Sequence, residues 1–263
     1  MRPLVGSAKY ATHAYRFESQ MLPSLRVSLP SLAFSRSGRD RVSIFTEVPA
    51  VAGVPDLVAV RFDMAGVERR AQEKIVPLSS ETEVRLAMEA KKPIPLSSAG
   101  ASVGLSDEYV RRSVFPLMQD KGWLIKDGSH IVRVPGAAFV GERVVTVEAK
   151  LRDWRRAFSQ ARRQRWSADA AYIALPAHST TSLEGDLSAI GARGIGVISL
   201  DDATGAARVL VRPARVNRSK TAVGRALLSE RTLEMFARGE MEGPVSPVFG
   251  WVLPEHFRPQ REV

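Results

Sequence analysis

The sequence contains no cysteine. Disulfides, thiolate zinc sites and cysteine nucleophiles are therefore excluded, and the composition fits a reducing compartment. Nowhere is there a run of the roughly 18 apolar residues that a membrane helix needs. The stretch "MRPLVGSAKYATHAYRFESQ" lacks the apolar core of a secretory signal. The expectation is a cytoplasmic, nucleoid-associated protein with no membrane partner. Histidine is scarce, and His13, His130, His178 and His256 show no metal-ligand spacing. His178 stands near Ser179 and Ser182, but no Gly-x-Ser-x-Gly elbow accompanies them. "GARGIG" at Gly191 to Gly196 follows a helix pattern and precedes a strand pattern, the reverse of a dinucleotide loop. No internal repeat is found. Acid is in short supply as well: 28 Asp and Glu face 38 Lys and Arg, a net charge of +10. Such a balance points to polyanionic partners, nucleic acid above all.

What is present is an ordinary folded composition, 44% hydrophobic over 263 residues, enough for one large domain or two modest ones. Residues 9–25 read as a helix with Tyr10, Ala14, Phe17 and Met21 on one face, ended by Pro23 and Pro30. Ser35 to Asp40 is a polar turn. "RVSIFTEVPAV" and "DLVAVRF" form a hairpin across "AGVP", with Asp56 opening the second strand. "SSETEVRLAMEAKKPI" is a helix capped by Ser79 or Ser80. A short Ala/Ser helix then ends near Gly104, and Ser106 caps a second helix that Gly122 stops. "WLIKDGSHIVRV" is a hairpin around Asp127-Gly128. Together these elements have a winged helix-turn-helix pattern. Pro116 sits awkwardly inside its second helix and predicts a kink. Strand "RVVTVEAKL", an arginine-rich helix, strand "AAYIALP", helix "SLEGDLSAIGA" and strands "GIGVISLDD" and "ARVLVRPA" follow. Residues 219–239 read as a terminal helix, and the Pro-rich tail from Gly243 as irregular.

Chemistry concentrates in "VTVEAKLRDWRRAFSQARRQRW". Glu148 and Lys150 lie two apart on a strand and share a face. If the strand opened by Asp56 is a neighbour, Asp56 and Glu148 converge on one hard cation such as Mg²⁺. Lys150 then faces the charge that builds on a phosphate. Alone, Glu-x-Lys on a strand is a common exposed ion pair, and "PD" is no more specific. Both, however, stand at the edge of apolar strands, and an Arg-rich amphipathic helix follows directly.

"GVPDLVAV" with "VVTVEAKLRDWRRAFSQARRQRWSADAAYIALP" resembles the PD-(D/E)xK nuclease superfamily. The resemblance covers about residues 9–62 and 140–211. It implies an α/β, restriction-endonuclease-like core, a mixed sheet flanked by helices, here with an inserted winged-helix domain. It further implies Asp56 and Glu148 as metal ligands, Ala149 as a backbone carbonyl ligand, Lys150 as catalytic and Gln160 as the supporting glutamine. Glu18, with Glu47 as rival, is the implied acidic ligand from the first helix. The cofactor implied is Mg²⁺, or Mn²⁺. The separation of 92 positions from Asp56 to Glu148 departs from the short hairpin of the pattern, and the winged-helix segment fills it. The implied organisation is a nuclease core that begins at 1–75, an insert at 76–136, the resumed core at 137–216, and a helix with its tail at 217–263.

From Lys150 to Trp166 there are seven basic residues and one acid. Arg152, Arg155, Arg156, Arg162 and Arg163 fall on one helical face; Trp154, Ala157, Phe158 and Ala161 fall on the other. With no compensating glutamate one turn away, the basic face suits phosphate contact better than a salt-bridged surface. On the insert, Arg111, Arg112, Lys126 and Arg133 are the candidate DNA contacts, although many winged helices bind protein instead. The four tryptophans read as core or helix-packing residues. The overall expectation is a Mg²⁺-dependent endonuclease on double-stranded DNA, a homodimer where both strands are cut. Its rivals are a non-cleaving DNA-binding regulator on a nuclease scaffold and an RNA-directed nuclease.

Overall fold

The computed structural model describes residues 15–35, 41–215 and 217–242, and the backbone of 245–248 and 251–254. Tyr10, Ala14, His13, His256 and most of the turn at 35–40 lie outside the described residues. The described chain opens with a 3₁₀ turn, Glu18–Met21, that runs into helix α1, Leu22–Ala33. Pro23 and Pro30 do not end this helix. Pro23 occupies its first turn, where a missing N–H costs nothing. Pro30 stays inside, because Leu25, Leu29 and Ala33 bury one stripe against the sheet and that packing outweighs one lost hydrogen bond. Strands β1, Val42–Thr46, and β2, Leu57–Phe62, then pair antiparallel.

Residues 63–140 separate β2 from the next core strand. Helix α2, Met64–Gln72, was not legible in the sequence, since the residues it buries are Gly66 and Arg70 rather than an apolar stripe. Helix α3, Glu81–Glu89, is capped by Ser80, which accepts from the Glu83 N–H. Strand β3, Ile94–Pro95, leads to helix α4, Ala99–Val103, closed by Gly104 in the left-handed region (φ 72°). Ser106 caps the next helix, which runs as α5, Asp107–Tyr109, a π-helical segment Val110–Val114, and α6, Phe115–Asp120. The π segment is how the helix accommodates Pro116, which falls in the first turn of α6. Strands β4, Leu124–Asp127, and β5, His130–Arg133, complete a three-stranded sheet in the order β3-β5-β4. This segment has its own apolar core around Trp123, Leu86, Val110 and Met118.

The chain returns with strand β6, Gly141–Ala149, then helix α7, Trp154–Gln164, and strand β7, Ala170–Pro176. A short helix α8, Ala177–Thr180, and α9, Leu187–Ala192, lead to strand β8, Ile195–Leu200, and strand β9, Ala207–Val211. The main sheet is six-stranded and mixed, in the order β1-β2-β6-β7-β8-β9. β6, β7 and β8 are parallel to one another, and the remaining pairings are antiparallel. β7 and β8 are buried at every residue, which is why they read as continuous apolar runs rather than alternating ones. α1 covers one face of the sheet; α7 and α9 lie on the other.

Helix α10, Arg218–Arg238, ties the intervening segment to the main sheet. Its Ala226 and Leu227 close the core of that segment, while Leu228 and Leu233 pack under β2 and β6. Glu230 of α10 is fully buried and accepts two bonds from the Arg70 guanidinium at 2.7 and 2.9 Å, and a third from the Leu78 N–H at 3.0 Å. The tail expected to be irregular instead pairs as a hairpin of β10, Val245–Val248, and β11, Trp251–Pro254.

Candidate active site and nucleic-acid face

Strand register brings the acids together. β2 and β6 are antiparallel with Leu57 opposite Val147, so continuing that register by one residue sets Asp56 opposite Glu148, 92 positions later in the chain. Directly opposed residues of an antiparallel pair share a face and stand about 5 Å apart at Cβ. Asp56 is held in place by the Ala149 N–H, which donates to its Oδ2 at 2.7 Å. Glu148 is almost fully buried. Its Oε2 accepts from the Gln164 side-chain amide at 2.6 Å, and its Oε1 lies 3.3 Å from Lys150 Nζ. Lys150 Nζ also meets Glu18 Oε2 at 2.8 Å, while the Lys150 N–H is anchored on the Ala174 carbonyl at 3.0 Å.

The electrostatics follow from crowding these groups in a half-dry corner. Burial, and then the neighbouring charge of Asp56, push the Glu148 carboxyl from 4.5 up to about 7, against the bonds from Gln164 and Lys150. Burial likewise raises Asp56. The Ala149 N–H and Lys150 counter that rise, and the charges of Glu18 and Glu47 add to it. Burial works to lower the Lys150 ammonium, but the bond to Glu18 and the charges of Asp56 and Glu148 outweigh it and hold Lys150 above its ordinary value. Three carboxylates thus act on one ammonium, an excess of negative charge that favours a further cation. Two carboxylates on adjacent strands are a donor set for Mg²⁺, which takes one or two carboxylates and keeps several waters. Among the described residues no group of three or more Asp, Glu, His or Cys side chains forms a larger cage.

The sequence-predicted residues fare differently. Asp56, Glu148, Ala149, Lys150 and Glu18 come together, with Glu18 on the 3₁₀ turn before α1 rather than on a helix proper. Glu47 is exposed, in the left-handed region (φ 52°), and its N–H donates to the Asp56 carbonyl at 3.4 Å. Gln160 does not hold Glu148; that amide belongs to Gln164, one turn further along α7. The Gln160 side-chain oxygen is buried without a hydrogen-bond partner among the described residues. The two glutamines lie four apart on one helical face, and the sequence carries no signal of which lies over Glu148.

Arg152, Arg155, Arg156, Arg162 and Arg163 are all exposed, while Ala157, Phe158 and Ala161 turn inward and Trp154 is half-buried. Arg155 lies 4.5 Å over the Trp154 ring. None of these five arginines has an acidic partner among the described residues. On the intervening segment the charges are differently placed. Arg111 and Arg112 both pair with Glu108. Residues 107–120 carry three acids and two arginines, so this helix has no positive excess. Lys126 is exposed, and Arg133 is half-buried, where burial lowers its pKa. The tryptophans also divide. Trp123 is buried, with its indole N–H donating to the Val76 carbonyl at 2.8 Å, whereas Trp166 is exposed rather than a core residue.

His178 pairs with Asp202 at 2.7 Å. Ser179 and Ser182, however, donate to the carbonyls of Leu151 and Ser179, so the histidine activates neither hydroxyl. No described helix is long and apolar enough to cross a membrane. No family model, curated protein or solved structure matches the chain.

Proposed function

We propose that the chain is a metal-dependent nuclease that hydrolyses phosphodiester bonds in DNA, built on a PD-(D/E)xK-like core. The observation that carries this reading is the convergence of Asp56 and Glu148 from adjacent strands beside Lys150, with an unpaired arginine face on the helix that follows. Asp56 and Glu148 would hold Mg²⁺ or Mn²⁺, with the Ala149 carbonyl as the third protein oxygen. When bound, the cation supplies Lewis-acid stabilisation of the charge that builds on the phosphate. Lys150, kept protonated by its acidic neighbours, places a positive charge beside the scissile phosphate and orients the attacking water. Gln164 fixes the Glu148 carboxylate, and Glu18 holds Lys150 in position.

The arginine face of α7 is the main phosphate-binding surface in this reading. The segment at 63–140 has the element order and β3-β5-β4 sheet of a winged helix, which supports that assignment. With Arg111 and Arg112 both engaged by Glu108, its DNA contribution rests on Lys126 and the hairpin. One such site cuts one strand, so a double-strand break takes two copies or two events.

The test is plasmid cleavage with Mg²⁺ or Mn²⁺, comparing wild type with Asp56→Ala and Lys150→Ala. Nicking by the wild type that both substitutions abolish is the expected result. Absence of cleavage in all three, with DNA binding retained, overturns the nuclease reading in favour of a non-cleaving regulator. Cleavage of RNA alone assigns the substrate otherwise.

A further inference from the structure

Where α7 ends, the chain passes through a 3₁₀ turn, Arg165–Ser167, that packs against the first turns of α10. Between them lies a cleft of about 710 Å³. Its lining includes Arg162, Arg163, Arg165, Arg215, Lys220 and Trp166, and no acidic residue among the described residues. The volume is that of a small-ligand pocket, enough for one or two nucleotides rather than a bare ion. Arg165 is fixed by donating to the Arg193 carbonyl at 2.7 Å. Arg162, Arg163, Arg215 and Lys220 have no acidic partner among the described residues. The main chain of Trp166 is pinned, since its carbonyl lies against Gly224 so closely that a Cβ there would meet it at 2.5 Å. Trp166 is nevertheless 56% exposed. The cleft thus offers a flat apolar ring and five positive charges side by side.

We propose that this cleft binds an unpaired stretch of nucleic acid, with one base stacked on the Trp166 indole and the flanking phosphates on the surrounding arginines and Lys220. The inference rests on the nucleic-acid reading of the chain but not on catalysis at Glu148. A polyanion with flat, apolar faces satisfies both halves of the cleft. Duplex DNA meets the charges but keeps its base faces stacked inside. An acidic peptide meets the charges but brings no ring to the indole. Stacking on aromatics within a basic groove is the general solution for single strands. The cleft adjoins the Glu148 corner, because Gln164, two residues before Trp166, reaches Glu148 Oε2 at 2.6 Å. A frayed or single-stranded segment held at Trp166 therefore lies next to the proposed cutting site.

Binding is measured by fluorescence anisotropy on the full chain in EDTA, so that no cleavage enters. The probes are a labelled oligothymidylate of 12 nucleotides, a 12-base-pair duplex, and the same single strand carrying 2-aminopurine. Wild type should bind the single strand and quench the 2-aminopurine. Trp166→Ala should weaken single-strand binding about tenfold or more and abolish the quench, with duplex affinity changed less than twofold. Trp166→Phe should keep most of the affinity, and its melting temperature, with that of Trp166→Ala, confirms folding. Arg215→Ala with Lys220→Ala should weaken the single strand and flatten its salt dependence. The proposal is overturned if wild type does not quench the 2-aminopurine, if Trp166→Ala binds like wild type, if duplex affinity falls equally, or if polyglutamate displaces the strand as readily as oligothymidylate does. Because every binding measurement is made in EDTA, its outcome is separate from plasmid cleavage: a wild type that fails to cleave overturns the nuclease reading alone, and a wild type without Trp166-dependent stacking overturns this one.

Discussion

Replacing Glu148 by Gln should stabilise the metal-free protein at pH 8, although it removes a residue the proposed chemistry needs. In the folded chain the Glu148 carboxyl titrates near 7 instead of 4.5, because burial and Asp56 disfavour its charge. A group with a raised folded pKa destabilises progressively as pH rises, since the unfolded chain gives up its proton earlier. The cost is absent below about pH 4.5, grows through the interval up to about 7, and is complete above it. At ~1.4 kcal/mol per unit the ceiling is ~3 kcal/mol. The glutamine keeps the bond from Gln164, but turns an amide towards Lys150 Nζ, now 3.3 Å from Oε1. That donor-to-donor contact costs about 1–2 kcal/mol, leaving a net gain of ~1–2 kcal/mol at pH 8. For a chain of this size the gain is roughly 2–8 °C in melting temperature. The assay is thermal unfolding of wild type and Glu148→Gln in EDTA from pH 4.5 to 8.5, read as the difference between them. A difference that does not change with pH, or a Glu148→Gln protein that melts lower at pH 8, refutes the assigned electrostatics. Adding Mg²⁺ at pH 8 should reverse the order by raising only the wild type. A cation at a hundred times its Kd contributes ~2.7 kcal/mol.

Other consequences are equally direct. Arg70→Ala should destabilise by about 3–5 kcal/mol, because it strands the fully buried Glu230 carboxylate. Denaturant unfolding of Arg70→Met with Glu230→Leu should recover most of that loss. Gln164→Leu should lower nuclease activity and raise the apparent Glu148 pKa in a pH–rate profile, since Gln164 is the amide that favours the charged form. Gln160→Leu should leave that profile in place.

Much of the site was legible because it is written in local pattern. Apolar runs flanked by "PD" and "E-x-K" announced strand ends bearing acids, and the arginine period announced a helix with one solvated side. The cap residues Ser80 and Ser106 were readable for the same reason, as each acts within three residues of itself. Helix α2 was not, because its inward side carries Gly66 and Arg70, whose burial is satisfied by a partner 160 residues away. Pro23 and Pro30 misled, since local propensity bars proline from a helix interior and only packing against the sheet overrides it.

By itself, then, the sequence determined which strands are apolar enough to be buried, where their acids stand, and that α7 is basic on one side. These follow from periodicity and charge. Only the tertiary structure decided that Asp56 faces Glu148, because strand register depends on how two distant segments align. It also decided that Gln164 rather than Gln160 reaches Glu148, and that Trp166 stays outside the core. Each of those is a question of depth and direction in space, and a one-dimensional pattern gives the face of an element but not what lies above it.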